Sequence, residues 1–309
     1  MTVASTTREI SVVVADAAQA EFEELTTPEL ARISSERGVD FATTLLYERL
    51  RHSARHGEFI RELEGIDAAI APPRLSGKLL VAPAAFYREY PKFGGDGAII
   101  RKIAPSFGLE AAVIPVNSTG SVLNNAKTIE RALENEADDS IILASLSKGG
   151  ADVRVALEDA PELARKIRVW LNICGLVRGT PVSDSLMGTR WWQRGLLKGY
   201  LAYTRADRGL VGELASTPGS LLGRAVNLPA SLRIINVVAF PLCEHLSGNS
   251  RGRHERLARF GPNDGSTLLR DSMLEPGHTY PLWGADHFMR TPEVPALMHR
   301  LLSYTERWT

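Results

Sequence analysis

Cysteine is scarce. The 309 residues include two, Cys174 and Cys243. One bridge is the most they could make, so no disulfide framework holds this chain. Cys174 sits inside an apolar run and is expected to be a reduced core residue. No run of about 18 apolar residues occurs, so no membrane span is expected. A charge excess of either sign is missing too, because 36 Lys and Arg balance 36 Asp and Glu. A general nucleic-acid binder carries a basic excess, and this chain offers none. The opening residues MTVASTTREI lack a basic stretch followed by a long apolar one, so no secretory leader is evident and the cytoplasm is the default compartment. Internal repeats and low-complexity segments are also absent. What remains is a globular chain long enough to bury a sizeable core.

The hydrophobic pattern divides the chain. Residues 1–73 read as a mainly helical N-terminal extension. Thr26-Thr27-Pro28-Glu29 combines a capping box with an early proline, and Gly38 suits a helix stop. Asp40 is placed to cap the next helix, where Phe41, Leu45 and Leu46 share a face. Ile10 to Val14 is short and β-branched enough to be an extra strand. Pro72-Pro73 marks a boundary.

After Gly77 the pattern alternates. Leu79–Ala82, Ala111–Val116, Ile141–Ala144, Ile167–Cys174, Ile234–Ala239 and Tyr280–Trp283 read as six strands. Amphipathic stretches lie between them: Ile99 to Ile103, Val122 to Leu133 behind a Ser121 cap, a helix from Gly149, and one opened by Thr291-Pro292-Glu293. Near-continuous apolar strands separated by helices predict an α/β fold with a mostly parallel sheet covered on both faces. Residues 74–184 and 232–309 form this core. Residues 185–231 interrupt it, and a structureless loop of that length is unexpected in a compact domain. They are read as a helical cap insertion carrying Trp191, Trp192 and Tyr200.

The strongest chemical signal is Ile141-Ile142-Leu143-Ala144-Ser145-Leu146-Ser147-Lys148-Gly149-Gly150, which runs strand, tight turn, glycines, helix. A serine on such a turn stands at the carboxyl end of the sheet. The alternative is a glycine helix entry that binds phosphate or only turns the chain. Ser145, at the strand end, is the weaker nucleophile. A serine needs an adjacent base. Of seven histidines, His52 and His56 lie in a polar helical stretch and are expected to be exposed, and His299 falls in the last helix. His287 follows the sixth strand in Trp283-Gly284-Ala285-Asp286-His287-Phe288, with His254 and His278 as competitors. The base needs an orienting carboxylate. Asp264, in the turn Gly261-Pro262-Asn263-Asp264-Gly265, is the candidate, with Asp271 and Asp286 as alternatives. The order Ser, Asp, His along the chain, each in a loop after a strand, is the order used by α/β-hydrolases.

With these residues the chain resembles the α/β-hydrolase superfamily, and within it the bacterial lipase- and esterase-like members. Leu143–Gly150 resembles the nucleophile elbow. Cys174–Asp184 is similar to the lipase segment written P-H-R-G-S-P-x-A-D, with Val177-Arg178 in place of His-Arg. Gly261–Gly265 resembles the acid loop and Ala285-Asp286-His287 the histidine segment. The likeness covers roughly residues 77–309. The first core strand of those lipases ends in His-Gly, where this chain has Ala82-Pro83.

The resemblance implies a serine hydrolase: Ser147 nucleophile, His287 base, Asp264 acid, and an oxyanion hole of backbone N–H groups from Lys148 and from Ala84 or Ala85. The Lys148 ammonium is expected to be solvated. Phe86 and the insertion aromatics could wall an acyl chain or pack against the core. No cofactor and no metal is implied. The expected partner is a small acyl ester or thioester, and a homodimer stays open. Three functions remain: a lipase- or esterase-like carboxylic ester hydrolase, a thioesterase or acyltransferase using the same triad on a carrier- or CoA-bound acyl group, and a binding protein that keeps the fold without the chemistry.

Overall fold

The computed structural model describes residues 21–187, 207 and 209–308. Three helices come first: α1 (Thr27–Arg37), α2 (Val39–His52) and α3 (Gly57–Glu64). Thr26 caps α1 by accepting from Glu29 N–H, and Gly38 ends it at φ 92°, a conformation glycine adopts at little cost. Asp40 does not cap α2. Its carboxylate turns away and accepts from Cys243 N–H at 2.9 Å, tying α2 to the loop after the fifth strand. The stretch Ile10 to Val14 lies outside the described residues.

The core then alternates: β1 (Lys78–Ala82), α4 (Ala98–Ile103), β2 (Glu110–Val113), α5 (Val122–Asn135), β3 (Ile141–Leu146), α6 (Lys148–Asp159), β4 (Ile167–Ile173), α7 (Pro181–Met187), α8 (Gly209–Gly212), β5 (Ile234–Phe240), α9 (Gly248–Leu257), β6 (His278–Trp283) and α10 (Val294–Tyr304). All six predicted strands are present. The second is shorter than the pattern suggested, because the backbone leaves the ladder beyond Val113. The six strands form one sheet in the order β2-β1-β3-β4-β5-β6, and every pair is parallel.

Successive residues on a strand face opposite sides, and the core divides accordingly. Leu79, Val81, Ile142 and Ala144 join one cluster with α10 and residues of α1 to α3. Leu80, Ala82, Ile141 and Leu143 join the other, with α5 and α6. Burying each Leu, Ile or Val among them contributes about 1.5–3 kcal/mol. The helices before β1 therefore pack on one face of the sheet, where Tyr47 of α2 meets the rings of Phe240 and Trp283.

His52 is exposed as expected, but His56 is buried at 2% exposure. It sits between the end of α2 and β6, edge-on to Phe22, and its Nδ1 accepts from Thr279 N–H at 3.2 Å. The stretch 185–231, read from the sequence as a helical insertion, is only partly described. Within 209–231 the single helical turn is α8, followed by turns rather than longer helix. That stretch is fixed to α6 by the fully buried Arg154, which donates to the carbonyls of Val177, Leu222, Arg224 and Ala225. Among the described residues no helix is long and apolar enough to cross a membrane.

Candidate active site

Ser147 occupies the turn between β3 and α6 with φ 50° and ψ −118°. That conformation is costly for a residue with a Cβ and persists only where the surroundings impose it. Its N–H donates to Ile173 O and its carbonyl accepts from Leu176 N–H, both at 3.0 Å, so β4 and the loop after it hold the turn from two sides. Glycines permit the close approach. A Cβ on Gly149 would lie 2.3 Å from Ala82 O, and one on Gly150 would lie 2.8 Å from Asn172 Oδ1 and from Gly175 Cα. Ser145 is fully buried and accepts from Trp170 Nε1 at 2.8 Å, so it is a core residue away from the tip of the turn.

His287 comes from the loop after β6, where Gly284 turns the chain at φ 74°. Its Nε2 lies 2.8 Å from Ser147 Oγ and its Nδ1 lies 2.7 Å from Asp264 Oδ2. Asp264 is buried at 1% exposure, and its other oxygen, Oδ1, accepts from Ser266 N–H and Thr267 N–H at 2.9 Å each. His287 N–H in turn donates to Asp264 O at 3.3 Å, joining the two loops by their backbones.

The competitors lie elsewhere. His254 is fully buried, and neither ring nitrogen has a hydrogen-bond partner. His278 opens β6 and its Nδ1 meets Arg55 O at 3.2 Å. Asp271 accepts from Thr27 Oγ1, and Asp286 pairs with Arg290. Cys174 is a buried free thiol, as expected. Its sulfur and ligand atoms of Asp264 and His287 lie within 4.8 Å of one another. As a metal set this trio is poor: both imidazole nitrogens are engaged, and burial, reinforced by the Asp264 charge, holds the thiol protonated, with its pKa well above the ordinary value.

Two expectations about neighbouring groups are corrected. Lys148 is not solvated. It is 1% exposed, and its ammonium pairs with Asp152 Oδ1 at 2.6 Å, because residues four apart share a helix face and this one faces the core. Ala84 N–H donates to Gly95 O at 2.8 Å, so Ala85 is the residue of that loop left as a candidate oxyanion donor. Lys148 N–H opens α6, where first-turn amides have no partner within the helix.

Ser147 and His287 border a cavity of about 280 Å³. Its inner wall is apolar and buried, with Ile100, Ile173, Val294 and Met298, while Tyr90, Phe93 and Ile99 at 37–45% exposure mark its mouth. Phe86 lines it as expected, and φ 59° at this residue bends the loop after β1. The other expected wall residues, Trp191, Trp192 and Tyr200, lie outside the described residues. Much of the described wall comes from residues 84–100, whose Tyr90 and Phe93 follow no helical or strand period and were missed for that reason.

An all-parallel sheet with a serine on the tight turn after its third strand, and with Asp264 and His287 on loops after the fifth and sixth, is the arrangement of the α/β-hydrolase fold, as the resemblance implied. Solved structures agree. A metagenomic carboxyl esterase superposes with a TM-score of 0.59 over 77% of this chain and 76% of its own, at 21% identity. A Bacillus licheniformis lipase in its mature form superposes with a TM-score of 0.53 over 76% of this chain and 89% of its own, at 16% identity. No family model and no curated protein matches the chain.

Proposed function

We propose that this protein is a serine carboxylic-ester hydrolase acting through Ser147, His287 and Asp264. The observation that carries the proposal is the unbroken chain from Ser147 Oγ to His287 Nε2 at 2.8 Å and from His287 Nδ1 to Asp264 Oδ2 at 2.7 Å, at the edge of an apolar cavity. The names of the similar structures, a carboxyl esterase and a lipase, support an ester as the substrate class.

In this mechanism Ser147 Oγ attacks the ester carbonyl carbon and its proton passes to His287 Nε2. Asp264 keeps the proton of His287 on Nδ1, so that Nε2 is the free lone pair. The oxyanion is met by Lys148 N–H and Ala85 N–H. The tetrahedral species collapses, the alcohol leaves with the proton from His287, and the acyl group stays on Ser147. Water, activated by the same imidazole, releases the acid. The cavity beside Ser147 receives the acyl chain.

The test is a fluorophosphonate probe applied to the protein and to Ser147→Ala, with the adduct located by peptide mass spectrometry. Labelling at Ser147 that vanishes in the variant is the expected result. A folded protein that stays unlabelled, or that labels at another serine, would overturn the assignment. Turnover of an oxygen ester against a thioester of the same acyl chain separates the hydrolase from a thioesterase.

A further inference from the structure

The residue after Ser147 buries a charge where an apolar side chain would pack more cheaply. Lys148 and Asp152 are each 1% exposed and paired at 2.6 Å. Replacing such a pair by apolar side chains of similar volume is often neutral or stabilising, so stability does not explain it. What an ion pair adds is direction, and its connections show where it leads. Asp152 Oδ2 accepts from Asn125 Nδ2 at 3.0 Å. Asn125, buried on α5, then clamps one residue at both ends: it donates to Asn117 O at 3.1 Å and its Oδ1 accepts from Asn117 N–H at 3.2 Å. The next residue, Ser118, accepts from Phe86 N–H at 2.8 Å through its carbonyl and donates to Glu89 Oε1 at 2.8 Å through its hydroxyl. Ala85 N–H therefore lies between two fixed amides, those of Ala84 on Gly95 O and Phe86 on Ser118 O.

We propose that Lys148, Asp152 and Asn125 are positioning residues that hold the Lys148 and Ala85 N–H groups at the separation an oxyanion requires. The two donors sit on separate segments, the start of α6 and the loop after β1, and this buried chain joins them. It leaves the serine, the imidazole and the carboxylate untouched. The inference rests on the serine chemistry proposed above.

Lys148→Met with Asp152→Leu keeps the branching and approximate length of both side chains and leaves both backbone amides in place. The full chain is assayed with a 4-nitrophenyl ester and with an alkyl trifluoromethyl ketone, whose hemiketal oxygen mimics the oxyanion. The expected result is a cooperative melt close to the parent temperature, KM within about twofold, and kcat lower by about 10- to 100-fold, up to the ~10²-fold cost of a misplaced group and short of the ~10²–10³-fold cost of a donor lost outright. Ketone affinity falls by the same factor, since a transition-state analogue reads the same contacts. A folded double variant with kcat within about twofold of the parent overturns the inference. Asn125→Ser keeps the Lys148–Asp152 pair but removes the amide's bonds to Asp152 Oδ2 and to Asn117, so it decides by the same criterion if the double variant does not fold. A parent protein that turns over ester while both variants match it refutes the network alone. One that neither turns over ester nor labels at Ser147 refutes the serine chemistry beneath it.

Discussion

Asp264 divides its carboxylate between two tasks: Oδ2 meets His287 Nδ1 at 2.7 Å, while Oδ1 accepts two backbone N–H groups at 2.9 Å from Ser266 and Thr267. The backbone pair fixes which oxygen is left for the imidazole, so the carboxylate cannot rotate without losing both bonds.

That division makes Asp264→Asn more than a loss of charge. The amide oxygen is expected to take the Ser266 and Thr267 N–H groups, which turns the NH₂ toward His287. An imidazole facing a donor must accept on Nδ1 and carry its proton on Nε2, where it cannot receive one from Ser147. Turnover of a 4-nitrophenyl ester should fall by about 10⁴-fold with the fold intact. Ser147→Ala and His287→Ala should each remove nearly all turnover, and the double variant should be little worse than either, because the three act as a unit. Losses that add would mean separate roles, and an equal loss from Asp286→Asn would move the acid.

Gly149→Ala tests how the elbow is held. The new Cβ would lie 2.3 Å from Ala82 O and 2.8 Å from Pro83 O, and both are backbone atoms that cannot swing aside. Either α6 or the end of β1 must move. A displacement near 1 Å at the nucleophile costs about 100-fold in turnover, and the strain is expected to lower stability by about 1–3 kcal/mol. Turnover and urea unfolding measured together check both. A stable, fully active variant would mean that the elbow has more room than this packing allows.

The strands and the three loop residues were legible because their signals are local. A β-branched apolar run specifies a buried strand, and a serine, aspartate or histidine in a turn just after one falls at the carboxyl end of the sheet. Residues whose surroundings come from distant segments were not legible. The burial of Lys148 depends on α5, which brings Asn125 to Asp152 from 27 positions away. His56 looks polar beside His52 and Arg55, yet Phe22 and β6 close over it. Asp40 precedes a helix as a cap would, but a backbone amide more than 200 residues on claims its carboxylate.

Ile100→Phe tests the proposal that the cavity beside Ser147 receives the acyl chain. Ile100 is 2% exposed at the inner wall, and Phe93 and Tyr90 stand at the mouth, so added volume at Ile100 fills the buried part of the cavity. Each buried methylene contributes about 0.8 kcal/mol. Excluding three or four of them should lower kcat/KM for an octanoyl ester by roughly 100-fold, with an acetyl ester within about threefold of the parent. A series of 4-nitrophenyl esters of increasing chain length reads this directly. Parallel losses across the series would place the acyl chain elsewhere.

His56 predicts how stability responds to acid. Burial first, then the neighbouring Arg55 charge, lowers its pKa from 6.5 to about 4. Its Nδ1 accepts from Thr279 N–H, so a proton there would face a donor inside an apolar shell. Above pH 6.5 the ring is neutral in both states and stability does not change through this group. Between 6.5 and 4 the unfolded chain binds a proton that the folded chain refuses, so stability falls as pH falls. Below about 4 both states are protonated and the loss levels off near 3 kcal/mol. By pH 5 the loss relative to pH 7 should be about 2 kcal/mol. His278 and His254 are lowered in the same direction by burial, so the wild-type curve alone cannot isolate His56. His56→Gln can, because a glutamine oxygen can still accept from Thr279 without titrating. Urea unfolding at pH 7 and pH 5 should show the variant losing about 2 kcal/mol less than the parent. If the two lost stability in parallel, His56 would be taking up its proton within the fold, and the acid sensitivity would belong to the other two histidines.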